Sequence, residues 1–170
     1  MRSREIKLRA LHLSDISQLA KLANNKNIWD NLRDSFPYPY SEGDAELFIN
    51  LTIKENPKQN FAIEYAGDLC GVIGLILQND VYSKSAEIRY WIGEPFWGKR
   101  IATTAIKLIT SYGFADLKLI RIYAGVFDFN IASMKALENN GYKKEGVFKN
   151  TVYKNDKIFD EHRYFKLNLC

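Results

Sequence analysis

The sequence predicts an α/β (α+β) fold: a mixed, mostly antiparallel central sheet of about seven strands with helices on both faces. Three observations carry this. After one strand-like stretch, the apolar residues recur at helical spacing as far as Pro57. From Asn60 the period drops to two and holds through three successive runs. Two further helical patterns then alternate with strands, giving the order β-α-α-β-β-β-α-β-α-β-β, and a helical crossover between two of those strands implies a parallel pairing.

Glu5 to Leu11 alternates, with Ile6, Leu8 and Ala10 inward, and reads as the first strand. Ser14-Asp15 caps a helix that buries Ile16, Leu19, Ala20 and Ala23. Asn24-Asn25-Lys26-Asn27 breaks it, leaving a short helical piece over Ile28 to Arg33. Pro37 and Pro39 make Phe36 to Tyr40 an extended loop, because proline removes a backbone donor and biases the residue before it away from helix. Ser41-x-x-Asp44 is a capping box opening a helix that carries Leu47, Phe48 and Leu51. Phe61 to Tyr65 and Leu69 to Leu77 form a hairpin around Ala66-Gly67-Asp68, and Ser85 to Ile92 follows as a third antiparallel strand. There Glu87, Arg89 and Trp91 face one way and Ala86, Ile88, Tyr90 and Ile92 the other. A helix with Ile101, Ala105, Leu108, Ile109 and Tyr112 on one stripe comes next, then a strand over Ile120 to Val126. Asn130 starts a short helix with Ile131, Met134 and Leu137 inward, and Gly141 ends it. Tyr142 to Lys154 and Lys157 to Leu169 close the chain as a hairpin through Asn155-Asp156.

A chain of 170 residues with 46% apolar and 26% charged residues is ordinary globular material, read as a single domain over residues 1–170. Its formal net charge of +4 favours an anionic ligand but falls short of the basic stripe of a nucleic-acid binder. Cys70 and Cys170 are too few and too ill-placed for a disulfide framework or a zinc site, so no metal is expected. Met1 to Glu5 lacks an apolar signal core and no run is long enough to span a membrane, which predicts a cytoplasmic location.

The most informative stretch is Gly93-Glu94-Pro95-Phe96-Trp97-Gly98-Lys99-Arg100-Ile101-Ala102-Thr103, where a strand turns directly into a helix. The free N–H groups of that helix start carry the positive end of its dipole, and Lys99 and Arg100 stand beside them, an arrangement suited to a pyrophosphate. A solvated helix start is the plainer reading of the same pair. At these residues the chain resembles the GNAT N-acetyltransferase superfamily, whose turn Gln/Arg-x-x-Gly-x-Gly/Ala grips the pyrophosphate of acetyl-CoA. Ala102 matches the last position, whereas Trp97 and Arg100 depart from the first and fourth. Tyr90-Trp91-Ile92-Gly93, Phe96-Trp97-Gly98-Lys99 and Ile101-Ala102-Thr103 resemble the RimJ/RimL branch, the ribosomal-protein N-terminal acetyltransferases, in which Trp is common at the first position.

The resemblance covers nearly the whole chain. It implies an N-acetyltransferase with acetyl-CoA as co-substrate and an amine acceptor, a ribosomal-protein N-terminus among the candidates, acting as monomer or homodimer. It places Trp91, Ile92, Trp97, Gly98, Lys99, Arg100, Ile101, Ala102 and Thr103 against the cofactor, and Asn130 and Ser133 against its pantetheine. Many superfamily members carry at the position of Leu137 a Tyr that protonates the departing thiolate. Leucine cannot, so the thiolate leaves unassisted or is protonated by Ser133 or by water, and the resemblance to the RimJ/RimL branch makes Ser133 the candidate acid. Asn130 is equally a helix N-cap and Ser133 an ordinary first-turn residue.

Acetyl transfer needs proton removal from the amine, polarisation of the carbonyl and departure of the thiolate. The resemblance implies a backbone N–H near Trp91 or Ile92 for the second task. Glu87, on the strand face of Trp91, is the candidate base, with an ion pair to Arg89 or across strands as the structural alternative. His12 and His162 lack partners at catalytic spacing and read as exposed surface residues. Trp29, Asp34, Phe36, Tyr38 and Tyr40 are candidates for acceptor binding, since a proline-stiffened aromatic loop with nearby carboxylates suits a cationic amine. They can equally be anchors of the loop to the core. The competing class is a protein that holds CoA or another nucleotide without turnover; an RNA-binding module is disfavoured by the modest charge.

Overall fold

The structure is a computed structural model that describes residues 5–169. Seven strands form one sheet in the order β1-β2-β3-β4-β5-β7-β6. They are β1 (Ile6–Arg9), β2 (Asn60–Tyr65), β3 (Asp68–Leu77), β4 (Ser85–Ile92), β5 (Arg121–Phe127), β6 (Lys143–Lys154) and β7 (Lys157–Leu167). All neighbours pair antiparallel except β4 and β5. The helices are α1 (Ile16–Ala23), α2 (Lys26–Trp29), α3 (Glu42–Ile53), α4 (Ile101–Ala115) and α5 (Ile131–Glu138). Cys170, one of the two cysteines, lies outside the described residues.

Two apolar cores result, one on each sheet face. Ile73, Leu75, Ile88, Ile106, Ile109, Ile122 and Leu137 belong to the first, which α4 and α5 cover. Leu11, Leu19, Ala45, Ile49 and Val72 belong to the second, where α1 and α3 pack. Each fully buried Leu or Ile contributes about 1.5–3 kcal/mol relative to its exposed state.

The second core corrects the reading of β4 as a strand with one buried face. Trp91 packs against it, and Glu87 is buried too. Several helical stripes are rotated from expectation. In α3 the buried residues are Ala45, Ile49 and Thr52, while Leu47 and Leu51 are 63% and 59% exposed. Small Ala45 lets α3 lie close to its neighbours, and the larger leucines turn outward. In α4, Ile106 is buried and Leu108 is not; in α5, Ile131 is exposed while Met134, Ala136 and Leu137 are buried.

The stretch from Asn24 to Asn27 does not separate two helices as a simple break. The Asn25 side chain accepts from the N–H groups of Asn27 and Ile28 and caps α2, which therefore starts at Lys26 and stops at Trp29 instead of running to Arg33. The short helical piece expected over Ile28 to Arg33 is thus present but shifted, and three α-helices stand between β1 and β2 where the element order counted two. The capping box at Ser41 and Asp44 is present, and Ala66 and Gly67 both adopt positive φ, as a tight hairpin turn demands.

What positions the site is the β4/β5 junction. Ser85–Glu87 pair with Arg121–Tyr123, and there the ladder ends, although both strands continue. Beyond Glu87 the sheet is split.

Candidate active site

A cleft of about 1240 Å³ occupies this split and runs from the start of α4 to the loop before α3. At one end, Trp97 donates its indole N–H to the Ile92 carbonyl at 2.7 Å, and Gly93 donates to Cys70 O at 2.8 Å, fastening the turn to the end of β4. Gly98 and Arg100 then both take positive φ, 75° and 59°. No side chain caps α4, and its first carbonyl bond is Thr104 N–H to Arg100 O, so the N–H groups of Ile101, Ala102 and Thr103 have no helical carbonyl to meet. The Arg100 guanidinium is exposed and has no ion-pair partner among the described residues. Lys99 instead rests its ammonium over the rings of Phe96 and Tyr65, at 5.2 and 5.7 Å.

On the middle of the cleft, α5 faces β4. Asn130 accepts from Ser133 N–H and caps α5, and Ser133 Oγ lies 2.6 Å from the Tyr90 hydroxyl. Burial pushes the Tyr90 phenol up to about 12, with the Ser133 bond working against it, so it keeps its proton at any physiological pH. Leu137 is fully buried in the core behind them.

The opposite wall carries charge. Glu87 Oε1 accepts from Arg33 Nη2 at 2.6 Å, and Oε2 from Arg89 Nη2 at 2.6 Å and Nε at 3.1 Å. Farther along the sheet, the Glu161 carboxylate lies over Gly125, where a Cβ would come within 2.7 to 2.9 Å of it. Arg163 holds its Oε1 at 2.8 Å.

A parallel pair that parts after Glu87, an uncapped helix start with a left-handed residue before it, and a hydroxyl on the facing helix together fit a long thioester with a pyrophosphate at one end. Residues 5–143 match the family described as Acetyltransferase (GNAT) domain. The chain belongs to this acetyltransferase family.

The Probable N-acetyltransferase YjcK of Bacillus subtilis (strain 168) is 34% identical over 113 residues, which span 65% of this chain and 62% of that protein. The spermidine N(1)-acetyltransferase of Escherichia coli (strain K12) is 30% identical over 161 residues, 88% of this chain and 82% of that protein. Among solved structures, spermidine N-acetyltransferase from Vibrio cholerae in complex with CoA and spermine superposes with TM-score 0.82 at 30% identity, covering 95% of each chain. RimL, the ribosomal L7/L12 α-N-protein acetyltransferase, in complex with coenzyme A shares the fold at TM-score 0.83 and 24% identity, over 98% of this chain and 96% of that one. As a GNAT member the chain is an acetyl-CoA-dependent N-acetyltransferase.

Of the residues the sequence singles out for the cofactor, all line the cleft: Trp91, Ile92, the turn from Trp97 to Thr103, Asn130 and Ser133. The acceptor candidates divide. Phe36 and Tyr40 line it, stacked on each other at 4.9 Å. Trp29, Asp34 and Tyr38 do not. Trp29 is an anchor: its indole N–H donates to Phe36 O, and Lys154 Nζ sits 3.4 Å from its ring centroid. Asp34 pairs with that same lysine at 2.8 Å, and Tyr38 packs on Trp29. His12 is exposed as expected, but His162 is half-buried within β7, with an Nδ1 that has no partner.

The sequence reading missed Tyr90, Arg33 and Glu161. Tyr90 sat among apolar residues on the core face of β4 and looked like core. Glu161 carried one weak signal: Gly125, a glycine inside a strand, marks close approach by a neighbour.

Proposed function

We propose that this chain, working as one acetyltransferase domain in the cytoplasm, transfers the acetyl group of acetyl-CoA to a primary amine that enters beside Phe36 and Tyr40. The observation carrying the reading is the split between β4 and β5, with the uncapped start of α4 at one end and the Tyr90–Ser133 hydroxyl pair facing it. The α4 N–H groups and Arg100 hold the pyrophosphate, and Asn130 and Ser133 contact the pantetheine. The amine nitrogen attacks the thioester carbonyl carbon, the C–S bond breaks, and an amide and CoA thiol result. Ser133 supplies the proton taken up by sulfur and regains one from water, and Tyr90 orients its hydroxyl.

The proton lost by the amine needs an ionised carboxylate or water. Glu87 has both oxygens engaged by guanidinium groups, which occupies the atoms an incoming amine would use, so its role becomes that of a positioning residue for Arg33 and Arg89. Glu161, held through one oxygen, is the base, directly or through water. A spermidine N-acetyltransferase and a ribosomal-protein acetyltransferase share this fold, so a polyamine and a protein N-terminus are both acceptors to try.

The test is release of free CoA thiol from acetyl-CoA with primary amines. Glu161→Gln should lower kcat about 10²-fold, whereas Glu87→Gln should act mainly on the acceptor KM. A loss of kcat confined to Glu87→Gln would return the base role to Glu87.

A further inference from the structure

The acceptor wall holds more positive charge than its carboxylate can neutralise. Two guanidiniums from separate elements, Arg33 after α2 and Arg89 on β4, converge on the single carboxylate of Glu87. Glu87 is buried, with its side chain 8% exposed, whereas Arg33 and Arg89 are 53% and 44% exposed and line the cleft. One positive charge is therefore left over. Neither of the other carboxylates on the cleft is bonded to these guanidiniums: Glu161 is paired with Arg163, and Asp44 caps the start of α3 through Ser41, beside the positive end of that helix's dipole. Arg33 gives only Nη2 to Glu87, and no side-chain partner among the described residues takes up its remaining N–H donors.

We infer that Arg33 and Arg89 form an oxyanion-binding subsite, and that the preferred acceptor is a primary amine carrying a carboxylate or phosphate on the same molecule, not a polyamine. The inference rests on the acetyl-transfer reading above. Glu87 sets the two guanidiniums side by side, as a fork for an incoming oxyanion. Arg89 stands two residues before Trp91, a separation of about 7 Å along a strand, so the amine and the anion are joined by a spacer of a few carbons. Leu47 and Leu51, exposed on α3 and lining the same cleft, offer that spacer an apolar wall. A second ammonium, as in a diamine, meets repulsion where the anion finds two donors.

The experiment measures thiol release with three matched series of straight-chain amines: ω-amino acids, alkylamines and diamines of equal length, with aminoalkyl phosphates as a fourth arm. A nearby second ammonium lowers the amine pKa of a short diamine, so kcat/KM is compared per concentration of free amine at each spacer length. We expect the anion-bearing series to exceed the alkylamines by about 10- to 100-fold at one spacer length, the effect of one or two charge-assisted hydrogen bonds. Whether carboxylate or phosphate is better separates the two anions. In Arg33→Gln, which leaves Glu87 paired with Arg89, that preference should shrink at least severalfold, with CoA affinity checked by calorimetry as a control for folding. Alkylamines or diamines turned over as well as the amino acids, or a preference undisturbed in Arg33→Gln, would overturn the subsite while leaving acetyl transfer intact. No thiol release from any series by protein that binds acetyl-CoA would overturn both.

Discussion

Leu137 fills with hydrocarbon a position where many relatives carry a phenol, yet a hydroxyl pair stands close to the same task. Tyr90 and Ser133 are joined at 2.6 Å across the cleft. Burial keeps the Tyr90 phenol protonated up to about 12, and either hydroxyl can donate in this bond; when the phenol donates, the Ser133 O–H is free to turn toward the departing sulfur. Ser133→Ala should lower kcat about 10²-fold at saturating acetyl-CoA, the usual scale of general-acid assistance. Tyr90→Phe, which loses only the orienting bond, should cost less, about 10-fold, and both should leave CoA affinity within a few-fold of the parent. Equal turnover in all three proteins, measured by thiol release, would remove the pair from the mechanism.

At the scale of elements, the strand-turn-helix from β4 into α4 is where sequence and structure agree most closely. The helix start was legible because Gly98 and the following apolar stripe mark it. The backbone of Arg100 was not, since a non-glycine residue gives no sign that it will adopt a left-handed conformation. That conformation is unfavourable by about 1–2 kcal/mol for a residue with a Cβ, and it is the one a motif glycine adopts freely. Replacement therefore separates backbone from charge. Lys99→Ala/Arg100→Ala should weaken CoA binding about 10- to 100-fold in low-salt calorimetry, with less effect as salt screens the phosphates. Arg100→Gly keeps the geometry and loses only the guanidinium. If it binds CoA as the parent does, Arg100 merely occupies the glycine position.

The rotated stripe of α3 shows the limit of periodicity: helical spacing told which residues are apolar, but the close approach at Ala45 and Ile49 decided which of them meet the core. The acceptor loop shows another. Aromatic residues over Trp29 to Tyr40 could be recognised as a group, but the placement of Trp29 and Asp34 away from the cleft goes with their contacts to Lys154, more than a hundred residues away in sequence.

The whole molecule depends on a second charge cluster far from the chemistry. Arg9 on β1 donates to both oxygens of Asp15 at 2.8 Å and to Glu64 on β2, tying the first strand to the turn before α1. Burial by itself raises the Asp15 carboxyl, but hydrogen bonds from Arg9 and from His12 N–H outweigh it and hold the group below its ordinary value. A depressed carboxyl stabilises the fold fully above its unfolded pKa, and the contribution fades as pH falls through the folded value. Stability should thus decline from about pH 4 downward. Asp15→Asn should lose about 2 kcal/mol at pH 7, less than a fully buried pair because Arg9 reaches water, and should flatten that acid decline in urea titrations. An unchanged acid limb would assign it to other carboxylates.

The Lys154 clasp divides the enzyme in a way that bears on how it can change. Lys154 is 3% exposed, seated on the Trp29 ring and paired with Asp34, and the neighbouring Asn155 donates to Asp30. The β6–β7 hairpin and the α2 region thus form one assembly, fastened together by residues other than those at the starts of α4 and α5. On the function proposed above, substitutions such as those at Arg33 within this clasped half alter the acceptor side while leaving the starts of α4 and α5 untouched.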